Sequence, residues 1–492
     1  MAVAGGGGTH LHDLPEVILL SLFAAVEDTR SRNAMALVCR RWHALERSTR
    51  AALALRGNVR DLFLVPTCFR SVARLDLSLL SPWGSSFLLL RRQDPAPQLQ
   101  THHHHHLAGG GRHDAAHLEE DQEEHANQLI AHRLRQAFPA VTDLTVYARN
   151  ASVVRALAPQ WPELRHVKLV RWHQRPFAPH GSDLAPLLQG CPTLTSLDLS
   201  KFYCWTEDLP PALKASPSAA AALTRLDLLG LSSNQGFKSQ ELLDISEACP
   251  NLRHLRASCV FDHRLIDFVG DDALLGLAAN CPRLSLLHLV DTTALSTPRA
   301  DPEDGAAAED ARISHRALEE LFAGLPLLED LALDVGQNVR DAGPVVEALN
   351  TRCPRLESLK LGQFQGVCRA AGLHLDGIAV CGRLKALSIK NADDVTDASL
   401  VAIARGCSRL SRFEIQGCQG VTKVGMRRLA RIRRSTLVDV GISCCKRLDP
   451  VRSLLAMEPI RDRIERLHID CVWETPGSED LPADLEDEDE DE

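Results

Sequence analysis

A nine-residue pattern, Cys-Pro-x-Leu-x-x-Leu-x-Leu, recurs along this chain of 492 residues and leaves few folds open. Its clearest copy spans residues 353–361. Others span 191–199 and 281–289, with Gly in place of Pro at 381–389, and more loosely 407–415. A copy starting at Cys249 keeps Leu252 and Leu255 but has Ala257 at its last apolar position. Without the Cys, the apolar core of the pattern starts at Val72, Val141, Leu164, Leu223, Leu328, Leu437 and Ile464. From Leu164 onward the starts step by 30, 29, 29, 32, 44, 28, 28, 26, 27 and 27 residues.

A period in the twenties with this pattern is the mark of leucine-rich repeats. Each copy predicts a short strand whose alternate residues point inward, followed by a helix that returns the chain to the next strand. No single unit buries its own apolar face, so the units stack and share a continuous core. The expected fold class is α/β: a solenoid in the form of a horseshoe, with parallel strands on the concave face and helices on the convex face. Such a scaffold binds rather than catalyses.

Bulk properties narrow the class further. There is no run of eighteen apolar residues, so no membrane span is expected. The first eight residues lack a basic stretch followed by an apolar core, so no secretory signal is expected either. Many of the fifteen Cys recur at one repeat position, where Cys serves as a small buried hydrophobe; this favours a reducing compartment over a disulfide framework. Residues 476–492 hold ten acidic side chains and no basic one. They carry the formal charge of −9 and leave the rest of the chain near neutral, which gives no argument for nucleic acid.

The N-terminus reads differently from the repeats. Residues 1–9 are Gly-rich and expected to be disordered. Leu14, Ile18 and Leu22 then fall at i, i+4 and i+8 on one helix face, with Asp13 and Pro15 suited to a helix start. A second amphipathic stretch carries Val38, Cys39, Arg40, Arg41 and Trp42. A Leu-Pro helix start, about two dozen intervening residues and Val-Cys-Arg-Arg-Trp together resemble an F-box, over residues 10–55. The resemblance implies docking on a Skp1-like adaptor of a cullin complex through Leu14, Pro15, Ile18, Leu22, Val38, Cys39 and Trp42. The alternative is a helical cap for the solenoid.

Residues 56–90 are expected to form the first repeat. Residues 91–125, with His102–His106, a Gly run and an acidic run, read as a flexible insert. Histidines on such a segment lack the fixed geometry of a metal site, so no metal is expected. Repeats continue over 126–475, with a helix starting at Asn127 and a second insert over 296–311, and 476–492 is an acidic disordered tail. No polar capping unit follows the copy at Ile464, which would leave apolar core at that end. Three polar and aromatic loops are candidate partner-binding sites: Arg171, Trp172, His173 and Arg175; Tyr203 and Trp205; Asp271 and Asp272. The competing reading is that these aromatics pack beneath their own loops. Five arginines between Arg427 and Arg434 form a basic cluster, read as an import signal, a patch for an acidic partner or a solvated face.

The chain has no Gly-x-Ser-x-Gly, Gly-x-x-x-x-Gly-Lys, His-Glu-x-x-His or paired Cys-x-x-Cys, so no catalytic residue and no cofactor is expected. The segments 169–176, 197–208, 269–275, 373–377 and 459–465 resemble the plant F-box/leucine-rich-repeat family called MORE AXILLARY GROWTH or DWARF, of strigolactone and karrikin signalling. The likeness runs from the F-box to Trp473. It implies the substrate-recognition subunit of a Skp1–cullin–F-box ubiquitin ligase. Such a subunit binds an α/β-hydrolase hormone receptor and recruits Clp-ATPase-like repressors for degradation, mainly in the nucleus. Members of that family continue beyond this point with further repeats and a C-terminal helix that contribute to receptor and repressor contacts. Adaptor docking therefore carries over more directly than receptor binding. The competing reading is a scaffold that occupies Skp1 or a signalling complex without delivering substrate.

Overall fold

The computed structural model describes residues 14–58, 62, 65, 69–81, 111–148, 151–171, 181–182, 184–202, 205–230, 236–292, 307, 309–369 and 374–470. Three short helices open it: α1 (Glu16–Ala25), α2 (Thr29–Ala36) and α3 (Arg40–Thr49). The chain then enters the first strand, β1 (Ala52–Asn58), with only Arg50 and Ala51 between.

Two compact units divide the fold. The first comprises Met1–Ser296, Ala311–Gly336 and Thr351–Leu356. After β1 its strands are β2 (Arg74–Ser81), β3 (Asp143–Tyr147), β4 (His166–Arg171), β5 (Ser196–Phe202), β6 (Arg225–Leu228), β7 (His254–Cys259), β8 (Leu286–Asp291) and the start of β9 (Asp330–Val339). Every pair from β1–β2 to β8–β9 is parallel. The second unit carries β10 (Ser358–Phe364), β11 (Ala386–Lys390), β12 (Arg412–Gln416), β13 (Asp439–Ser443) and β14 (Arg466–Asp470), again parallel in consecutive pairs.

Register explains why the pattern repeats as it does. Leu197 faces Leu226, which faces Leu255, which faces Leu287, and all four are buried. In the second unit Leu361, Ile389, Ile415, Ile442 and Ile469 form the same kind of row. The pleat sends alternate residues to one side, and parallel pairing in register stacks them. Ile469, in the last described strand, is half-exposed where Ile442 is fully buried.

The recurring Cys does more than fill space. Cys281 donates its thiol hydrogen to the carbonyls of Ser246 (3.6 Å) and Cys249 (3.5 Å), at the end of the helix Ser239–Ala248 one repeat earlier. Cys353 does the same to Phe322 and Leu325, both at 3.6 Å, at the end of the helix His315–Gly324. Phe322 already accepts from the Leu325 N–H, and Cys249 and Leu325 from the N–H groups of Leu252 and Leu328, so the thiol is a second donor to those three carbonyls. Trp161 stands at the same repeat position, and its indole N–H donates to the Phe138 carbonyl at 2.8 Å. Cys and Trp both bring a buried donor on an apolar side chain to this position, while Leu325, which also precedes Pro in the pattern and is fully buried, fills it without one.

Other polar residues also tie repeat to repeat. Asp397 accepts from the Thr422 backbone N–H (2.8 Å) and hydroxyl (2.6 Å), and Thr422 caps the helix Lys423–Ile432. Gln365 donates to the Asn391 carbonyl and accepts from the Asp393 N–H, and Gln419 treats Cys444 and Lys446 in the same way.

Two boundaries differ from the sequence reading. The array of strands starts at Ala52, inside the span expected for the F-box. The segment Ala-Leu-Ala-Leu-Arg-Gly-Asn lacks the repeat pattern, and its strand state comes from pairing with β2. The helix expected from Asn127 begins at Gly111 and runs to Ala137, so the second part of the 91–125 insert is helical. Most of residues 114–124 (Ala, Leu, Glu and Gln) are strong helix formers and Asp114 is acidic in the first turn, although the stretch shows no apolar period. At the 296–311 insert, Ala307, Glu309, Asp310 and Ala311 are described; Asp310 bridges to Asn338 and pairs with Arg340 at 2.6 Å. Residues 1–9 and 476–492 lie outside the described residues. All described cysteines are free, including the buried neighbours Cys444 and Cys445.

Burial pushes the thiols of Cys191, Cys249, Cys281 and Cys381 up to about 12. In the unfolded chain a thiol ionises near pH 8.5. Their contribution to stability is complete below that pH and falls as the unfolded chain loses protons first, up to about pH 12. Denaturant unfolding at pH 7.5 and at pH 10 is expected to show this loss. Cys281→Ala, which removes both the donor and part of the packing, is expected to cost about 1–3 kcal/mol at pH 7.5.

Candidate partner-docking face

The three N-terminal helices share a small core of Leu19, Phe23 and Leu45, against which Leu14, Leu20, Met35 and Trp42 pack. Trp42 meets Phe23 edge to face at 5.3 Å. Each turn between helices is secured locally. The Asp28 carboxylate accepts from the Ser31 N–H at 2.7 Å and caps α2; hydrogen bonds from Ser31 hold its carboxyl below the usual range. Cys39 caps α3, its sulfur accepting from the Trp42 N–H at 3.4 Å.

Seven apolar side chains are too few to hold such a module, and the rest of the work falls to a buried ionic cluster. Glu46 lies between Arg32 (3.3 Å) and Arg50 (2.6 Å), and all three are buried. Arg32 also donates to the Phe23 and Val26 carbonyls at the end of α1, and to Thr49 of α3 at 2.8 Å. Arg50 reaches Asn33 of α2 at 2.7 Å. One guanidinium therefore ties all three helices together.

With that inner side satisfied, the outer side is apolar and open. Helix α1 reads Glu-Val-Ile-Leu-Leu-Ser-Leu-Phe-Ala-Ala, apolar nearly all round. It turns Leu19 and Phe23 inward and leaves Val17, Ile18 and Leu22 exposed. Leu37 and Val38, where α2 ends, are exposed too, Leu37 to 86%. Apolar side chains gathered on one small module in this way mark an interaction surface.

The sequence-predicted adaptor residues divide accordingly. Pro15, Ile18, Leu22 and Val38 are open to solvent. Leu14, Cys39 and Trp42 are half-buried and belong to the module's own packing and capping. Val17 and Leu37 were not singled out, although each adjoins a predicted residue in an unbroken apolar run. The Arg32–Glu46–Arg50 cluster left only one sequence trace, the i, i+4 spacing of Glu46 and Arg50.

The module is not hung on a linker. Arg47 of α3 stacks over Phe69 at 5.6 Å, and Phe69 stacks on Phe138, the residue after the helix Gly111–Ala137, at 6.0 Å. With β1 paired to β2, these contacts fix the helices to the start of the repeats.

The family model described as F-box matches residues 12–52. The chain carries an F-box. Over 469 residues it is 53% identical to F-box protein MAX2 homolog B of Petunia hybrida, covering 95% of this chain and 61% of that protein. It is 50% identical over 475 residues to F-box protein MAX2 of Arabidopsis thaliana, covering 96% of this chain and 64% of that protein. The F-box/LRR-repeat MAX2 homolog of Oryza sativa subsp. japonica is 50% identical over 472 residues, covering 94% and 64%. The chain is a close homologue of these MAX2 F-box proteins. It spans less than two thirds of their length.

Among the candidate loop residues, Trp172, His173, Arg175 and Tyr203 lie outside the described residues. Arg171 ends β4, and Trp205 is half-buried just before a short helical turn at Thr206–Asp208. Asp271 serves the fold: its carboxylate accepts from the Ser314 N–H at 2.8 Å and hydroxyl at 2.6 Å, as Asp397 does with Thr422. Asp272 is exposed on the first turn of the helix Asp271–Asn280. In the basic cluster Arg427 pairs with Glu458 and Arg433 donates to the Ser408 carbonyl, while Arg428, Arg431 and Arg434 are exposed.

Glu46→Ala leaves two buried guanidiniums without their carboxylate and is expected to cost about 3–5 kcal/mol. Ile18→Ser and Val38→Ser, on the open side, are expected to shift stability by no more than about 0.5 kcal/mol. Urea unfolding of the three variants checks both.

Proposed function

We propose that this chain is the substrate-recognition part of a Skp1–cullin–F-box ubiquitin ligase in strigolactone and karrikin signalling. What supports the reading is the open apolar side of a small helical module joined without a flexible link to a long parallel repeat array. Val17, Ile18, Leu22, Leu37 and Val38 would seat a Skp1-like adaptor. The repeats would receive an α/β-hydrolase hormone receptor and the Clp-ATPase-like repressors that it brings, in the nucleus.

The mechanism is positional. Ubiquitin transfer is carried out by other subunits, and this chain contributes no nucleophile of its own. It holds a substrate within reach of the charged enzyme and so raises its effective concentration. That task favours a stiff connection between adaptor and substrate, which the pairing of β1 with β2 and the Arg47–Phe69–Phe138 stack supply. A second reading is a scaffold that holds the adaptor without delivering substrate.

Co-purification with a Skp1-like adaptor, and with a strigolactone-type receptor with and without hormone, separates these readings. Binding to both is expected of a working substrate receptor, and binding to the adaptor alone supports the scaffold. Ile18→Glu combined with Val38→Glu is expected to weaken adaptor binding at least tenfold with an unchanged melting temperature. Full adaptor binding by that variant would overturn the proposed face.

A further inference from the structure

We propose that the open face of strands β4 to β7 seats an extended segment of a partner protein in which an arginine is flanked, two residues to either side, by acidic residues. The inference rests on reading the repeats as the recognition part of the molecule, and it specifies the chemistry of what they recognise.

Consecutive strands place Lys168, Asp198, Asp227 and Arg256 side by side in register. The order of charge along the row is plus, minus, minus, plus. Each of these side chains is half-buried, the two carboxylates at 28% exposure. Like charges directly opposite each other on neighbouring strands are destabilising, so the Asp198–Asp227 pair works against the fold. Burial, with Asp198 adding to it, holds the Asp227 carboxyl above the usual carboxylate range.

A local structural role explains part of this arrangement. Asp198 accepts from the Ser200 N–H at 2.9 Å and Asp227 from the Leu229 N–H at 3.2 Å, as Asp76 does from Ser78. That role engages one oxygen of each carboxylate. The other oxygen of Asp198 takes the Lys168 ammonium at 2.6 Å, while that of Asp227 has Arg256 no nearer than 3.6 Å. In the register of the row the two cations hold the outer positions and the two carboxylates the central ones.

This row borders two cavities, of about 570 Å³ over β1–β5 and about 210 Å³ over β5–β8, which share Ser196 and Asp198 in their walls. Neighbouring strands are about 4.8 Å apart, so Lys168 and Arg256 lie about 14 Å from each other across the row. An extended chain rises about 3.3 Å per residue and covers about 13 Å in four steps. A segment lying along the row can therefore set its central residue over the aspartate pair and the residues two before and two after it over Lys168 and Arg256. Arginine suits the centre because its planar fork offers parallel N–H donors to two carboxylates at once. Glutamate or aspartate at the flanks completes the match.

The test uses the full chain and two capped heptapeptides with glycine elsewhere. One carries glutamate at its second and sixth positions and arginine at its fourth. The other carries the reversed signs. General attraction to a chain of net charge −9 favours the reversed peptide, which is net positive, so it predicts the opposite order of affinity. Calorimetric titration at low salt is expected to show the first peptide binding at least tenfold more tightly. Asp227→Asn is expected to weaken it at least tenfold, and Lys168→Gln to weaken it as well, with the melting temperature of Asp227→Asn unchanged or raised. Equal affinity of the two peptides, no binding of either, or undiminished binding to a folded Asp227→Asn would overturn the proposal. Adaptor binding measured on the same preparation keeps the readings apart: its loss alongside intact peptide binding would count against the ligase assignment and not against this seat.

Discussion

A repeat helix that ends against its neighbour leaves the carbonyls of its last turn away from water. Left alone, each such carbonyl costs roughly 1–3 kcal/mol, a debt that would be multiplied along the array. The chain meets it partly with backbone N–H groups just beyond the helix and partly from the next repeat, with a side chain that is apolar enough to be buried and still carries a donor. Cys281 and Cys353 serve two carbonyls each, and Trp161 serves one with its indole. The thiol is a weak donor, but its high pKa in this setting keeps the proton in place. Where Cys or Trp stands at this position, stacking and capping thus meet in one side chain; Leu325 at the same position serves the stacking alone.

The N-terminal module meets a different shortage. Its core is too small to be held by apolar burial, and it must leave half of its apolar side chains outside. The buried Arg32–Glu46–Arg50 cluster resolves both demands, because it joins three helices from within and uses no apolar surface to do so. Val17, Ile18 and Leu22 are then free to face outward on the same helix that turns Leu19 and Phe23 inward. A helix apolar all round is normally buried on every side. Here the second side is exposed, and that is the physical argument for a partner.

Much of the fold was legible because its period is simple. The Leu rows that the spacing predicted are the rows in register from β5 to β8 and from β10 to β14. The misses have physical causes. β1 is a strand through its pairing, which local propensity does not carry. The first half of the helix Gly111–Ala137 is charged rather than amphipathic, so it has no period to detect. In the docking module the apolar residues were visible, but which of them face inward was not: Leu14 has the i, i+4, i+8 spacing with Ile18 and Leu22, yet the helix starts only at Glu16, so Leu14 lies before it and packs on the core while the other two face outward. The Arg32–Glu46–Arg50 cluster joins residues 14 and 4 apart, and only the shorter spacing is a helix signal.

Polar residues on the repeats separate by where their partners come from. Asp271 and Asp397 stand at helix starts and are satisfied by the hydroxyl and N–H of the next repeat's cap. They are part of the stack, and their charge is spent within it. Asp198 and Asp227 stand on the strand face and share the loop-closing role of Asp76, which uses one oxygen of each; the second oxygen of Asp198 takes Lys168, and that of Asp227 has only the longer contact to Arg256. If loop closure were their whole purpose, asparagine would serve it equally and without the repulsion between neighbours. Retaining two charges side by side at half burial makes sense where a cation arrives to share them, with Lys168 and Arg256 setting the limits of the place it can occupy.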